Sequence, residues 1–355
     1  MVTLRYMIVL AAALVTGLSN PVNAQTDFTD PLDRPASTIG NPTSAHLNSV
    51  TTAGERLIAV GARGLIIVSD DAGATWTQAP SPVSSDLLGV HFPTAKQGWV
   101  VGHDGVILHS ADGGASWVKQ FDGNAARKML TEHFETLAAA GDETAAIFQD
   151  GVKLNYQDGP EQALMGVWFS DENNGIVVGT FGTLLATHDG GKTWESWMER
   201  SDNPEFLHYM AISGSGDQIY IASERGVVFK LDPQAQRFER LETGYTGSFF
   251  SIKVTPTTLV AAGLRGTAFK SMDGGTTWQP LPTGINVALS DVQSLPDGRF
   301  LLAGVDGKVV ISDVTVSSFK PLTASRPGRF TSLTGLKNGK AVSVGFSGVR
   351  EVTVQ

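Results

Sequence analysis

Residues 99–117 read WVVGHDGVILHSADGGASW. Two short apolar runs, WVV and VILHS, flank the turn Gly102–Gly105, and a second turn rich in glycine and small hydroxyl residues follows. Apolar runs of this length joined by glycine-containing turns are strands in hairpins, not helices. The pattern recurs six more times: LIAVGARGLIIVS from Leu57, IVVGTFGTLLAT from Ile176, IYIASERGVVFK from Ile219, LVAAGLRGTAFKS from Leu259, LLAGVDGKVVIS from Leu301 and AVSVGFSGVREV from Ala341. The glycines closing these turns are Gly64, Gly105, Gly182, Gly226, Gly266, Gly307 and Gly348, spaced 41, 77, 44, 40, 41 and 41 residues apart. Seven units of about 41 residues result, with an insertion of about 36 between the second and third. Sheets of that length, four strands each and arranged radially, predict an all-β fold, a seven-bladed β-propeller.

Twelve residues beyond each turn glycine stands an aromatic: Trp76, Trp117, Trp194, Phe238, Trp278 and Phe319; the seventh unit ends before that position. Four units carry S/T-x-D-x-G-x-S/T-W, at 69–76, 110–117, 187–194 and 271–278, the Asp-box repeat. Asp71, Asp112, Asp189 and Asp273 can accept backbone N–H groups within their own turns, and Trp76, Trp117, Trp194 and Trp278 are large enough to fill the space between adjacent sheets. A calcium-ligand or catalytic role is the competing reading. The hairpin clasp is favoured because units four and six keep the aromatic with Pro233 and Val314 in the aspartate position.

Apolar residues form 41% of the chain and charged residues 17%, enough for a core and unlike a disordered chain. The net charge of −9 disfavours non-specific binding to nucleic acid or an anionic membrane. With no cysteine, disulfides, thiolate metal sites and cysteine nucleophiles are excluded, as is a lipid-modified cysteine anchor. Arg5, the apolar run Met7–Leu18 and Val22-Asn23-Ala24 read as a signal peptide over residues 1–24, cleaved near Ala24. The run is too short to span a bilayer. The expectation is an exported, periplasmic or secreted protein with residues 25–355 as a single propeller domain. The last unit lacks a fourth strand, so the segment Gln25–Pro42 is expected to supply it and close the ring. The insertion, about residues 121–162, is read as helices over about 123–140 and 142–150, with Met129, Leu130, Phe134 and Leu137 on one face. It is either a decorated loop or a partner-binding element.

In a propeller, the turns between second and third strands share a face with the inter-blade loops. The residues just before the turn glycines are Arg63, Asp104, Phe181, Arg225, Arg265, Asp306 and Ser347. Three equivalent arginines in an acidic protein, joined by Arg326 and Arg329 from the last inter-blade loop, suggest capture of carboxylates or acidic motifs by guanidinium forks; the alternative is that turn tips tolerate any polar residue. Asp boxes also occur in sialidases, but six blades, an Arg-Ile-Pro motif and a tyrosine–glutamate pair are missing, and Tyr209, Tyr220 and Tyr245 are scattered. The histidines form no metal-ligand cluster, the turns join strand to strand instead of cradling phosphate, and no cofactor is expected.

With VVGxxGxIxxSxDGGxTW units and seven blades, the sequence resembles the photosystem II stability and assembly factor family, within the wider Asp-box (BNR) group, over roughly residues 45–355 apart from the insertion. The resemblance implies a non-enzymatic propeller with an arginine patch on one face that engages a membrane-protein client during assembly. By position, Arg63, Arg225 and Arg265 are the candidates for that patch; blades two, three, six and seven lack arginine there. It also implies that the client need not be photosynthetic, since relatives occur beside RND-type exporters. The functional expectation is therefore an exported client-binding propeller that aids assembly or stability of a membrane complex. An Asp-box glycan binder or sialidase-like glycosidase and an accessory of an RND-type exporter are the alternatives.

Overall fold

Every repeat folds into an antiparallel sheet whose strands follow one another outward in chain order. The computed structural model describes residues 29–336 and 339–354, so the signal-peptide reading at 1–24 lies outside the described residues. Among the described residues seven sheets form the seven blades of a propeller; blades 1 to 6 have four strands and blade 7 has three. Blade 1 comprises Leu47–Ala53, Arg56–Gly61, Ile66–Ser69 and Thr77–Ala79. The remaining innermost strands are Leu87–His91, Leu164–Phe169, Tyr209–Ser215, Phe249–Val254, Leu289–Ser294 and Phe330–Gly335. Second strands such as Gly98–Gly102 and Leu259–Gly263 are buried along their whole length. Both faces of these strands meet a neighbouring blade, which is why they read as continuous apolar runs instead of alternating ones.

The period-setting glycine has a two-part cause. Gly266 has φ +74, and a Cβ placed on it would lie 1.7 Å from the carbonyl oxygen of Ile285, in the connector to the next blade. Gly348 repeats this at the end of the chain, with φ +82 and a Cβ position 1.9 Å from Thr43 O. Only glycine combines a left-handed backbone with so close an approach. The Gly348 contact also shows how the ring closes. Val349 N–H donates to Thr43 O at 2.9 Å, and Val50 N–H donates to Ser332 Oγ at 3.3 Å, so the entry to blade 1 serves as the connector after blade 7.

Three expectations are corrected here. The part of Gln25–Pro42 that the structure describes does not complete blade 7; it runs over blade 1. Ala36 N–H donates to Ser81 O, Gln78 Nε2 donates to Ser37 O, and Leu32 is buried among blades 1 and 2 with Val83 and Trp117. This covers the outer edge of Thr77–Ala79, an edge that would otherwise template pairing with another chain. Blade 7 instead receives Thr323–Ser325, which bond to Glu351 and Thr353. Second, while α1, Gly123–Ala139, falls where expected, α2 spans Ala145–Asn155 instead of about 142–150. The second begins after 142 because Asp142 Oδ1 accepts from both the amide and the hydroxyl of Thr144 and holds a turn there. Third, the aspartate of unit six is not lost but displaced by one residue. Asp313 accepts from the amides of Thr315 and Ser317 and the hydroxyls of Thr315, Ser317 and Ser318, rebuilding the clasp.

Candidate functional site

The turns between second and third strands present a repeated series of tips. In blades 1 to 5 the tip residue is left-handed: Arg63, Asp104, Phe181, Arg225 and Arg265 have φ between 53 and 60°. Connector side chains grip some of these tips by the backbone, as where Arg63 N–H donates to Asp86 Oδ1 at 2.7 Å and Phe181 N–H to His208 Nδ1 at 2.8 Å. The tip side chains then diverge. Asp104 accepts from Ser85 Oγ at 2.6 Å and Asp306 pairs with Lys308 at 3.0 Å, so the acidic tips are locally used. The guanidinium groups of Arg63, Arg225, Arg265 and Arg326 are exposed and make no hydrogen bond or ion pair among the described residues. Several arginines elsewhere are occupied, Arg56 chelating Asp70, Arg240 bridging Glu205 and Glu242 and Arg299 holding Asp297, while Arg127 on α1 is exposed and, among the described residues, makes no such bond.

The arginines fall on an arc. Arg225 and Arg265 belong to adjacent blades, tied by Tyr245 OH donating to Leu264 O at 3.1 Å. Arg326 and Arg329 share the connector between blades 6 and 7, where Arg329 lies 4.8 Å over the ring of Phe346. Arg63 stands on blade 1, beyond blade 7, so the arc runs through blades 4, 5, 6, 7 and 1. The helices crown the remaining blades. Asp122 caps α1 beside the blade 2 turn, His133 of α1 meets Glu199 at 3.1 Å, and Phe148 of α2 packs edge-on against Phe206. Three exposed apolar residues accompany the arginines on the turn series: Phe181, 43% exposed, Leu264, and Phe346, 50% exposed. Exposed cation forks beside apolar rings suit an extended polypeptide carrying both acidic and apolar side chains.

On the opposite face the Asp boxes are self-contained. Asp71 accepts from Ser69 Oγ, Thr75 N–H and Thr75 Oγ, at 2.8, 2.8 and 2.6 Å. Asp112, Asp189 and Asp273 repeat the set with their own Ser or Thr partners. The hydroxyl and amide of Thr75 and of Thr277 bring Asp71 and Asp273 down to about 2. Partial burial opposes ionisation of Asp112 and Asp189, yet the hydroxyl and amide of Ser116 and Thr193 prevail and the value is again about 2. With these oxygens engaged inside the turn, the carboxylates are clasps. Among the described residues no group of three or more His, Asp or Glu side chains is placed to hold a metal. The hydroxyls of Tyr209, Tyr220 and Tyr245 are tied as well: Tyr209 OH bonds Ser201 Oγ, Tyr220 OH donates to Gly274 O and Tyr245 OH to Leu264 O.

The propeller axis holds groups that sequence reasoning missed. A channel of about 370 Å³ is lined by the inner strands of all seven blades. Asp291 is buried there, accepting from Ser251 Oγ of blade 5, Ser332 Oγ and Leu333 N–H of blade 7, and Val292 N–H. Burial pushes its carboxyl up against those hydrogen bonds. Burial lowers the Lys253 ammonium despite the Asp291 charge, and it lowers His91, with help from Lys253, to about 4. The signal was present in the third residue of each inner strand: Ser49, Gly89, Gly166, Ala211, Ser251, Asp291 and Ser332, one carboxylate in a column of small residues.

The model of the photosynthesis system II assembly factor YCF48 family matches residues 76–163 and 152–312, more than half of the chain. The photosystem II assembly lipoprotein Ycf48 of Synechococcus sp. (strain CC9902) is 24% identical over 140 residues, 39% of this chain and 42% of that relative, so the match spans less than half of the relative's length. A solved structure of YCF48 bound to D1 peptide superposes with a TM-score of 0.63 at 17% identity, covering 90% of this chain and 99% of that one. YCF48 from Cyanidioschyzon merolae gives 0.63 at 15% identity, covering 90% and 98%. At these identities the structural likeness establishes the seven-bladed fold.

Proposed function

The chain belongs to the photosynthesis system II assembly factor YCF48 family, and from that premise we propose that it is an exported, non-catalytic propeller that holds a segment of a membrane-protein client on its turn face. The observation that carries the reading is the set of exposed, unpartnered guanidinium groups at Arg63, Arg225, Arg265 and Arg326, with Arg329 stacked on Phe346, in a chain of net charge −9. Unpaired arginines on one face of an acidic protein favour a client segment bearing carboxylates, and Phe181, Leu264 and Phe346 offer contacts for its apolar side chains. The family relative captured with a D1 peptide supports a polypeptide ligand. Export rests on Arg5, the apolar run Met7–Leu18 and the Val22-Asn23-Ala24 cleavage site. A non-catalytic role is supported by the tyrosine hydroxyls and Asp-box carboxylates having structural partners.

The test is cross-linking of the tagged protein in its native cells, wild type against the triple variant Arg63→Glu, Arg225→Glu, Arg265→Glu. One membrane protein recovered with wild type and lost in the variant is expected, and the variant's Tm should stay within about 2 °C because exposed, unpaired side chains contribute little to folding. Recovery unaffected by the charge reversal would retire the arginine face.

A further inference from the structure

Adjacent blades are stitched by what the outer loops push between them, and at blades 3 and 4 the stitch is displaced: Phe238 is buried there and its carbonyl accepts from Asp202 N–H, but a space is left beside Ile176. In the four Asp-box blades the loop and its tryptophan lean on the preceding blade at one register of its second strand. A Cβ on Gly73 would meet Val342 at 3.1 Å, one on Gly114 would meet Ile58 at 2.9 Å, one on Gly191 would meet Trp99 at 3.2 Å and one on Gly275 would meet Tyr220 at 3.6 Å. Two junctions without a box tryptophan are filled by other residues. Val316 joins Val260 in one buried cluster at blades 5 and 6, and Val352 and Val354 join Leu301 at blades 6 and 7. At blades 3 and 4 the residue at that register is Ile176. The facing loop of blade 4, Asp232-Pro233-Gln234-Ala235-Gln236, supplies neither tryptophan nor a valine, and Phe238 does not line the space left behind.

That space is a cavity of about 130 Å³ walled by Trp168, Ile176, Ala186, Trp197, Ile219 and Leu231. Its rim on the Asp-box face is polar, where His188 Nδ1 lies 2.9 Å from Asn174 Oδ1. We propose that this socket is a binding site for one uncharged aromatic ring of benzene to indole size. The volume suits one such ring, since a dry cavity of similar size lined by apolar side chains takes up benzene. The fold itself supplies an indole at the equivalent register of four other junctions, Trp76, Trp117, Trp194 and Trp278, so the shape and lining are those complementary to an aromatic plane. The source is either a free small aromatic molecule or an aromatic side chain of a partner reaching the Asp-box face, opposite the arginine-bearing turns.

The probes are indole and N-acetyl-tryptophanamide, titrated into the whole chain by calorimetry, with nuclear Overhauser contacts recorded from probe protons to the methyl groups of Ile176, Ile219 and Leu231. Saturable 1:1 binding of indole with those contacts is expected. N-acetyl-tryptophanamide binding equally well assigns the site to a partner side chain, and its exclusion assigns it to a free aromatic. Ala186 lies directly opposite Ile176 on the neighbouring strand, so Ala186→Leu should fill the socket, weaken binding at least tenfold and raise Tm. No saturation by either probe, contacts to other methyl groups, or undiminished binding to folded Ala186→Leu would each overturn the proposal. The methyl contacts decide the matter in the wild-type protein should the variant not fold.

Discussion

The two faces of the propeller carry equally regular repeats, yet their side chains are in opposite states. On the Asp-box face every repeated carboxylate is consumed by its own turn: Asp71, Asp112, Asp189, Asp273 and the displaced Asp313 each accept three or more hydrogen bonds from within a few residues. On the turn face the repeated element is the backbone. The glycine and the connector fix the turn; Asp104 and Asp306 then find local partners, but the arginine tips are left over, as the unpartnered Arg63, Arg225 and Arg265 show. A repeated residue whose polar atoms are satisfied locally is part of the scaffold. One whose position is fixed while its charge is unused is available to a ligand.

The largest expected effect tests this division inside a single turn. Gly266→Ala must place a methyl 1.7 Å from Ile285 O on a backbone with φ +74, so the connector has to move. We expect a loss of about 3 kcal/mol by chemical denaturation. Arg265→Glu, one residue away, should leave stability unchanged. A tolerated alanine at 266, or a destabilising change at 265, would break the claim that backbone builds the turn and side chains do not.

Much of the fold was legible because its causes are local and repeat in phase. The left-handed glycine, the close connector and the Asp-box clasp each act within one unit, so each leaves a periodic mark. What was not legible depends on contacts that have no period. Asp291 meets Ser251 and Ser332 at the axis only because the ring brings blades 5, 6 and 7 together. The covering of blade 1 by residues 30–39 rests on irregular hydrogen bonds such as Gln78 Nε2 to Ser37 O, and such a segment carries no alternation to read. Asp313 was missed because its loop is one residue longer between aspartate and aromatic than the boxes are, which moves the clasp off the expected position. The arginines stand at equivalent positions of the repeat and are legible as such, whereas their being unpartnered depends on neighbours from other blades, which no repeat encodes.

A smaller effect separates the faces by pH. The box aspartates titrate near 2 in the folded state, below the ordinary value of 3.8, held there against burial at Asp112 and by the Thr75 and Thr277 hydroxyls at Asp71 and Asp273. A depressed carboxylate stabilises the fold above its unfolded value, and that contribution is lost as pH falls from about 4 toward 2. Asp291, raised by burial, acts with the opposite sign and gains on protonation. Melting curves between pH 5 and 2 should therefore fall steeply in wild type and less steeply in Asp112→Asn, and Asp112→Ala should lower Tm at pH 7 by about 5 °C. An unaltered slope in Asp112→Asn would remove that clasp from the scaffold.

The finest test lies within the Asp-box face itself. Trp117 and Trp194 are equally buried, at 6% and 7% exposure, and both fill a junction between blades. They differ in one hydrogen bond: Trp117 Nε1 donates to Gly114 O at 3.1 Å, as Trp76 and Trp278 do to Gly73 and Gly275, whereas Trp194 Nε1 is buried and makes none. Replacement by phenylalanine removes part of an aromatic ring at either site. At 117 it also orphans the Gly114 carbonyl, and at 194 it removes a donor that was already unsatisfied. Trp117→Phe should therefore cost about 2 kcal/mol and Trp194→Phe about 1 kcal/mol less. Equal losses would mean that the indole acts on this face through its bulk alone and that the repeated N–H to glycine contact adds nothing to the clasp.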